Sequence, residues 1–137
     1  MSDDCIFCRI VKNEAPATRL YEDDVAFAFL DIRPASEGHT LVIPKRHHRT
    51  IYDIPDWEIA HLYRIVKKLA VAVKKGMNAE GVTIAQQNEK AAGQEIFHLH
   101  VHVIPRFQGR ILPRPHEIPE ADRDNLDKVA GRIRQFI

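Results

Sequence analysis

Three histidines stand at alternate positions in the run Phe97-His98-Leu99-His100-Val101-His102-Val103-Ile104-Pro105. Strict period-two alternation predicts a β-strand that turns His98, His100 and His102 to one face and Leu99, Val101 and Val103 to the other. With about 3.3 Å of rise per residue, successive imidazoles are roughly 7 Å apart, a spacing suited to metal coordination or to work on a phosphate. Two histidines spaced as H-x-H can supply ligands to a catalytic zinc, which lowers the pKa of its bound water to about 7. Alternatively, one neutral imidazole attacks phosphorus while its neighbours bind the phosphoryl oxygens. Spacing alone leaves both chemistries open.

Six of the eight histidines fall in two groups, the second being His39, His47 and His48. A further reactive pair lies near the start of the chain, where Cys5 and Cys8 are the only two cysteines. A C-x-x-C pair in a reducing compartment is more often a metal or redox motif than a disulfide. The plain alternative is two small apolar core residues.

These groups need elements to position them. Apolar residues at 6, 7, 10 and 11 predict a short amphipathic helix around the cysteines. Arg19–Glu22 and Val25–Leu30 read as two strands joined by an acidic turn at Asp23-Asp24, and His39–Pro44 as a third strand ended by its proline. Ile59, Leu62, Val66, Leu69 and Val73 recur at spacings of three and four, which predicts the longest helix over about residues 56–75, with Asp56 as N-cap and Gly76 as stop. Gly81–Asn88 is a fourth strand, forming a hairpin with the histidine strand through the turn at Lys90–Gln94. Pro113, Pro115 and Pro119 break up the segment beyond Pro105, and Leu126, Val129, Ile133 and Phe136 form a closing helical stripe. Runs of strands with one long and one terminal helix indicate an α+β domain on an antiparallel sheet.

At 137 residues the chain is expected to be one domain with a proper core. A net charge of +1 gives no global case for nucleic acid, although Lys45-Arg46-His47-His48-Arg49 is a local basic run. Met1-Ser2-Asp3-Asp4 lacks the features of a secretory signal, and no apolar run is long enough to span a bilayer. The expectation is a soluble, cytoplasmic protein without a membrane partner.

His98-Leu99-His100-Val101-His102-Val103-Ile104 resembles the signature of the histidine triad (HIT) superfamily of nucleotide hydrolases and transferases. The likeness extends through Cys5-Ile6-Phe7-Cys8, Phe29-Leu30-Asp31, Gly38-His39-Thr40-Leu41-Val42-Ile43-Pro44-Lys45, Asn88 and Gly93-Gln94, over residues 5 to about 106. It points to the zinc-containing, bacterial-type hydrolase branch. Residues 107–137 then form a C-terminal extension ending in a helix, and the resemblance implies that such extensions differ between branches and shape substrate choice.

The resemblance implies that His100 is the nucleophile toward the α-phosphorus of a purine nucleoside phosphoramidate or dinucleoside polyphosphate. A transient nucleotidyl-histidine would be released by water as a nucleoside monophosphate. His102 and His39 would contact phosphate or orient the nucleophile, with Asn88 and the Gly93-Gln94 turn as donors. Asp31 would accept from the ribose hydroxyls, and Ile6, Phe7, Ile10 and Phe29 would line the base pocket. Cys5, Cys8, His47 and His98 would hold one structural zinc per chain, with His48 the adjacent candidate. Many members carry serine or threonine where this chain has Glu95, so Glu95 either turns away or serves as a general acid at the leaving group. The implied fold is a five-stranded antiparallel sheet with helices on one side and a homodimer joined into a continuous sheet. Three other readings stay open: a nucleotide-binding regulatory protein with weak catalysis, a nucleotidyl transferase, and a metal-dependent hydrolase using all three triad histidines.

Overall fold

A computed structural model describes residues 4–137. Its elements in chain order are α1 (Ile6–Val11), β1 (Arg19–Glu22), β2 (Ala26–Leu30), β3 (Thr40–Pro44), α2 (Asp56–Gly76), β4 (Gly81–Gln86), β5 (Val101–Arg106) and α3 (Arg123–Arg134). The five strands form one antiparallel sheet in the order β1-β2-β3-β5-β4. This is the α+β architecture expected, with a long helix, a short N-terminal helix and a C-terminal helix.

Alternation along β2 separates two cores. Ala26, Ala28 and Leu30 join Val42, Val101 and Val103 beneath α2 and α3, contributing to a cluster with Leu62, Leu69, Leu126 and Ile133. Phe27 and Phe29 face the other way, against Phe7, Cys8 and Ile10 of α1. The expectation of helices on one side therefore holds for α2 and α3 and fails for α1. The aromatic face of β2 needs its own cover, and α1 supplies it.

Boundaries shift for identifiable reasons. The histidine ladder begins at Val101, not Phe97, because β3 pairs with β5 only through Thr40↔Val103, Leu41↔His102 and Val42↔Val101. Upstream, the Leu99 N–H donates to the His48 carbonyl at 2.7 Å, so residues 97–100 leave the sheet. Pro105 sits within β5 opposite Val82, where no β3 partner asks for its missing N–H. Pro55 rather than Asp56 is the N-cap of α2, with no side-chain cap bond. Gly76 does not reverse the chain. It is the last residue of α2 and lets α3 approach so closely that a Cβ would lie 2.8 Å from Ile133 Cα. Asn78, at φ 52°, takes the left-handed conformation instead. β4 ends at Gln86 rather than Asn88, and Phe136 lies beyond α3 and is 45% exposed, so the closing stripe stops at Ile133.

Candidate active site and metal centre

The three triad histidines keep to one face, but they serve two different places. Phe7 sits edge-on to His98 and His100, at 5.7 and 5.2 Å between ring centroids, and His100 is edge-on to His102 at 5.0 Å. Leu99, Val101 and Val103 are fully buried on the opposite side. His98 turns toward the cysteines, while His100 and His102 line a cavity of about 720 Å³ at the C-terminal end of β2.

Backbone contacts fix which nitrogen of each ring carries the proton. The Nδ1–H of His100 donates to the His98 carbonyl at 2.8 Å, which leaves the Nε2 lone pair free. Burial lowers the His100 pKa below its usual value, with the His98 carbonyl and the Asp31 and Glu95 charges acting the other way. The ring is thereby neutral near pH 7 and equipped as a nucleophile.

His39 shows the reverse arrangement. The Ala35 N–H donates to His39 Nδ1 at 3.0 Å, so the proton of the neutral ring is on Nε2, which donates to His102 Nδ1 at 2.9 Å. That chain leaves the Nε2–H of His102 as a donor. Burial pushes both His39 and His102 down to about 4; the His100 ring adds to this at both, His39 also acts on His102, and the Asp31 charge opposes the shift at His102. Asp31, His39 and His102 lie close enough to be considered metal ligands, but His39 Nε2 bears a proton and offers no lone pair. With His98 committed elsewhere, the three triad histidines do not converge on a single ion.

Asp31 follows β2 directly. Its Oδ1 accepts from the Arg33 N–H at 2.9 Å, the loop-capping role, and its Oδ2 lies 3.6 Å from His39 Nε2. Burial raises its pKa. Ile6, Phe7, Ile10 and Phe29 line the same end of the cavity, and Gly93 and Glu95 the rim contributed by the β4–β5 connection. Glu95 does not turn away from the cavity. It is exposed, and its charge reaches His100.

Two expected donors are placed otherwise. Asn88 is absent from the cavity lining: its Oδ1 accepts from the Ile51 N–H at 2.8 Å, and its amide pairs with the Gln86 side chain. Gln94 is buried and pins the connection, donating to the Arg49 and Ile96 carbonyls at 2.8 and 3.1 Å while accepting from the Glu89 N–H. The backbone amides expected as donors at this turn are engaged within it, the Gly93 N–H with the Lys90 carbonyl at 3.0 Å and the Gln94 N–H with the Glu89 carbonyl at 3.1 Å. Gly93, at φ 94°, is the left-handed hinge between Asn88 and Gln94.

The second place is a cluster of four ligand atoms. Cys5 Sγ lies 3.4 Å from His98 Nδ1, and Cys8 Sγ lies 3.3 Å from His47 Nδ1 and 3.5 Å from His98 Nδ1. Bond lengths of about 2.3 Å to sulfur and 2.0–2.1 Å to nitrogen give a tetrahedral S···N edge of about 3.6 Å, close to these separations. His98 Nε2–H donates to the Pro44 carbonyl at 2.8 Å, holding the tautomer whose Nδ1 lone pair faces the sulfurs. Burial and the neighbouring Cys5 thiol push Cys8 up to about 11, a penalty on the thiolate that a bound cation reverses. Donor set and geometry are compatible with zinc.

His47, not His48, completes the cluster. His48 Nε2 instead faces the fully buried Glu58 Oε2 at 3.0 Å. The sequence signals missed that pair, and they missed the lining supplied by Arg33 and by Leu112, Pro113, Pro115 and Ile118. Local periodicity carries no signal for either, since both depend on contacts between distant segments.

The HIT domain family matches residues 12–109. The chain is 41% identical over 128 residues to adenosine 5'-monophosphoramidase HNT1 of Saccharomyces cerevisiae, covering 91% of this chain and 77% of that one. It is 40% identical over 133 residues to adenylylsulfatase HINT3 of Arabidopsis thaliana, covering 97% of this chain and 67% of that one. Among solved structures, a zinc-bound histidine triad family protein from Mycobacterium smegmatis superposes with a TM-score of 0.86 at 39% identity, covering 98% and 94% of the two chains.

Proposed function

This chain belongs to the HIT domain family, and on that premise we propose that it is a nucleotide hydrolase acting at the α-phosphate of purine nucleoside phosphoramidates or dinucleoside polyphosphates. The observation that carries this reading is the His100 tautomer, with Nδ1–H held by the His98 carbonyl and Nε2 unprotonated over the cavity. His100 Nε2 attacks the α-phosphorus; the bond to the leaving group breaks, and that group departs with its electron pair and takes up a proton. Water then attacks the same phosphorus, the P–N bond breaks, and nucleoside monophosphate and neutral His100 are restored.

The other residues take roles by position. The Nε2–H of His102, oriented through His39, supplies a fixed donor to the phosphoryl oxygens as charge builds. Gly93 keeps side-chain bulk from the rim, and Glu95 is the group beside the leaving group. Asp31 faces the ribose, and Ile6, Phe7, Ile10 and Phe29 face the base. Names of relatives support the class: one is called an adenosine 5'-monophosphoramidase and another an adenylylsulfatase.

Cys5, Cys8, His47 and His98 would hold one zinc per chain. With four protein ligands and no open position the ion is structural, tying α1 to the segment that carries His100. We also propose a homodimer formed through α2 and the outer strand β4, whose Ile84 is 46% exposed at the sheet edge. Among the described residues no helix is long and apolar enough to cross a membrane.

Replacing His100 by alanine tests the function. Turnover of a purine nucleoside phosphoramidate is expected to disappear while binding of the monophosphate survives. Turnover within tenfold of wild type would overturn the assignment.

A further inference from the structure

The segment between β5 and α3 lies over the cavity and takes no part in the chemistry above. After β5 the chain turns at Phe107–Arg110, closed by the Arg110 N–H to the Phe107 carbonyl at 3.0 Å, and returns toward the end of β2. It then contributes Leu112, Pro113, Pro115 and Ile118 to the cavity lining. Leu112 and Ile118 are half-buried, whereas the neighbouring Ile111 is 93% exposed. The segment thus presents selected apolar groups to a space that no protein atoms fill.

Its attachment is specific. The Ala121 N–H donates to the Ile32 carbonyl at 2.7 Å. The Arg33 guanidinium donates to the Ile118 carbonyl at 3.1 Å and pairs with Glu120 at 3.4 Å, and the Asn125 amide donates to Glu37 at 3.0 Å. Arg33 is itself held by its N–H to Asp31. One short loop therefore carries both the carboxylate facing the cavity and the latch for the segment. Proline at 113, 115 and 119 restricts the backbone, so the wall is shaped before any ligand arrives.

The latch also says which half of the cavity is covered. Ile32 and Arg33 directly follow β2, whose Phe29 packs edge-on to Phe7 of α1 at 5.5 Å. Glu95 belongs to the connection between β4 and β5, across the sheet. The segment is consequently latched on the Asp31 side of the cavity, whose lining it shares with α1.

We propose that residues 111–121 form the second apolar wall of the nucleoside subsite, holding a purine base against the α1 and β2 side, with Arg33 as the positioning residue that latches the wall. This rests on the reading of Asp31 and the α1 side as the nucleoside half. A contact with the base is made equally in the bound state and in the transition state, so its loss raises KM and leaves kcat unchanged.

The test measures Kd for a purine nucleoside monophosphate and the kinetics of a purine nucleoside phosphoramidate in wild type, Ile118→Ala and Arg33→Ala. Kd and KM are expected to rise together, three- to tenfold in both variants, with kcat within twofold of wild type. A rise in KM with an unchanged monophosphate Kd would assign the wall to the leaving group and overturn the proposal. So would unchanged values of both. A wild type that binds no purine monophosphate would overturn the nucleotide reading itself and this proposal with it.

Discussion

Each imidazole of the site is given its task by its second nitrogen. His100 donates from Nδ1 to a carbonyl and so has an unprotonated Nε2, whereas His39 accepts at Nδ1 from a backbone N–H and so donates from Nε2. In the proposed reaction the same residue type serves as nucleophile in one place and as donor in another. The arrangement also makes the fold sensitive to acid. His39 and His102 have folded-state values of about 4, against about 6.5 in the unfolded chain. Between these values the unfolded state binds more protons, so stability rises with pH from about 4 to 6.5 and falls as pH is lowered through that window. His39→Asn removes one of the two groups, and its unfolding free energy is expected to decline less steeply than that of wild type over the same range. Parallel curves in urea titrations would contradict the depressed values.

Among the elements, α1 has six residues and one buried face, too little to hold its position by helix propensity alone. It packs on Phe27 and Phe29, and the cluster of Cys5, Cys8, His47 and His98 joins it to the β3–α2 loop and the approach to β5. A zinc ion held there would tie together segments distant in sequence. Cys8→Ala is expected to abolish zinc binding and to lower Tm by about 10 °C, corresponding to roughly 2–3 kcal/mol for a chain of this size. Wild type purified without chelator or affinity tag should carry one zinc per chain. A content well below one, after excess zinc is offered, would contradict the four-ligand site.

Across the whole molecule, what could be read in the sequence divides along physical lines. Strand order within hairpins, the long helix and the alternation around His100 are local patterns, and the structure has them. Where His98 leaves the ladder is set by the short overlap of β3 with β5, which no local pattern encodes. Gly76 reads as a helix stop because glycine ends helices often, yet in the structure it lets α3 pack against α2. The family resemblance groups Cys5, Cys8, His47 and His98, and the structure brings their ligand atoms within 4.8 Å of one another. The resemblance groups Asn88 and the backbone amides of the Gly93-Gln94 turn with the phosphate donors, whereas the structure engages the Asn88 side chain with Ile51 and Gln86 and pairs the Gly93 and Gln94 N–H groups with the Lys90 and Glu89 carbonyls. The wall over the cavity was invisible, since its meaning lies in contacts such as Arg33 to Ile118, separated by 85 residues.

In the proposed reaction a covalent nucleotide resides on His100 during turnover. Rapid acid-free quenching with a purine nucleoside phosphoramidate labelled at the α-phosphorus, followed by peptide mapping, tests it directly. Label is expected on the peptide containing His100, acid-labile and alkali-stable as a phosphoramidate is, formed within one turnover. Full turnover with no label on that peptide, or label on another residue, would contradict it.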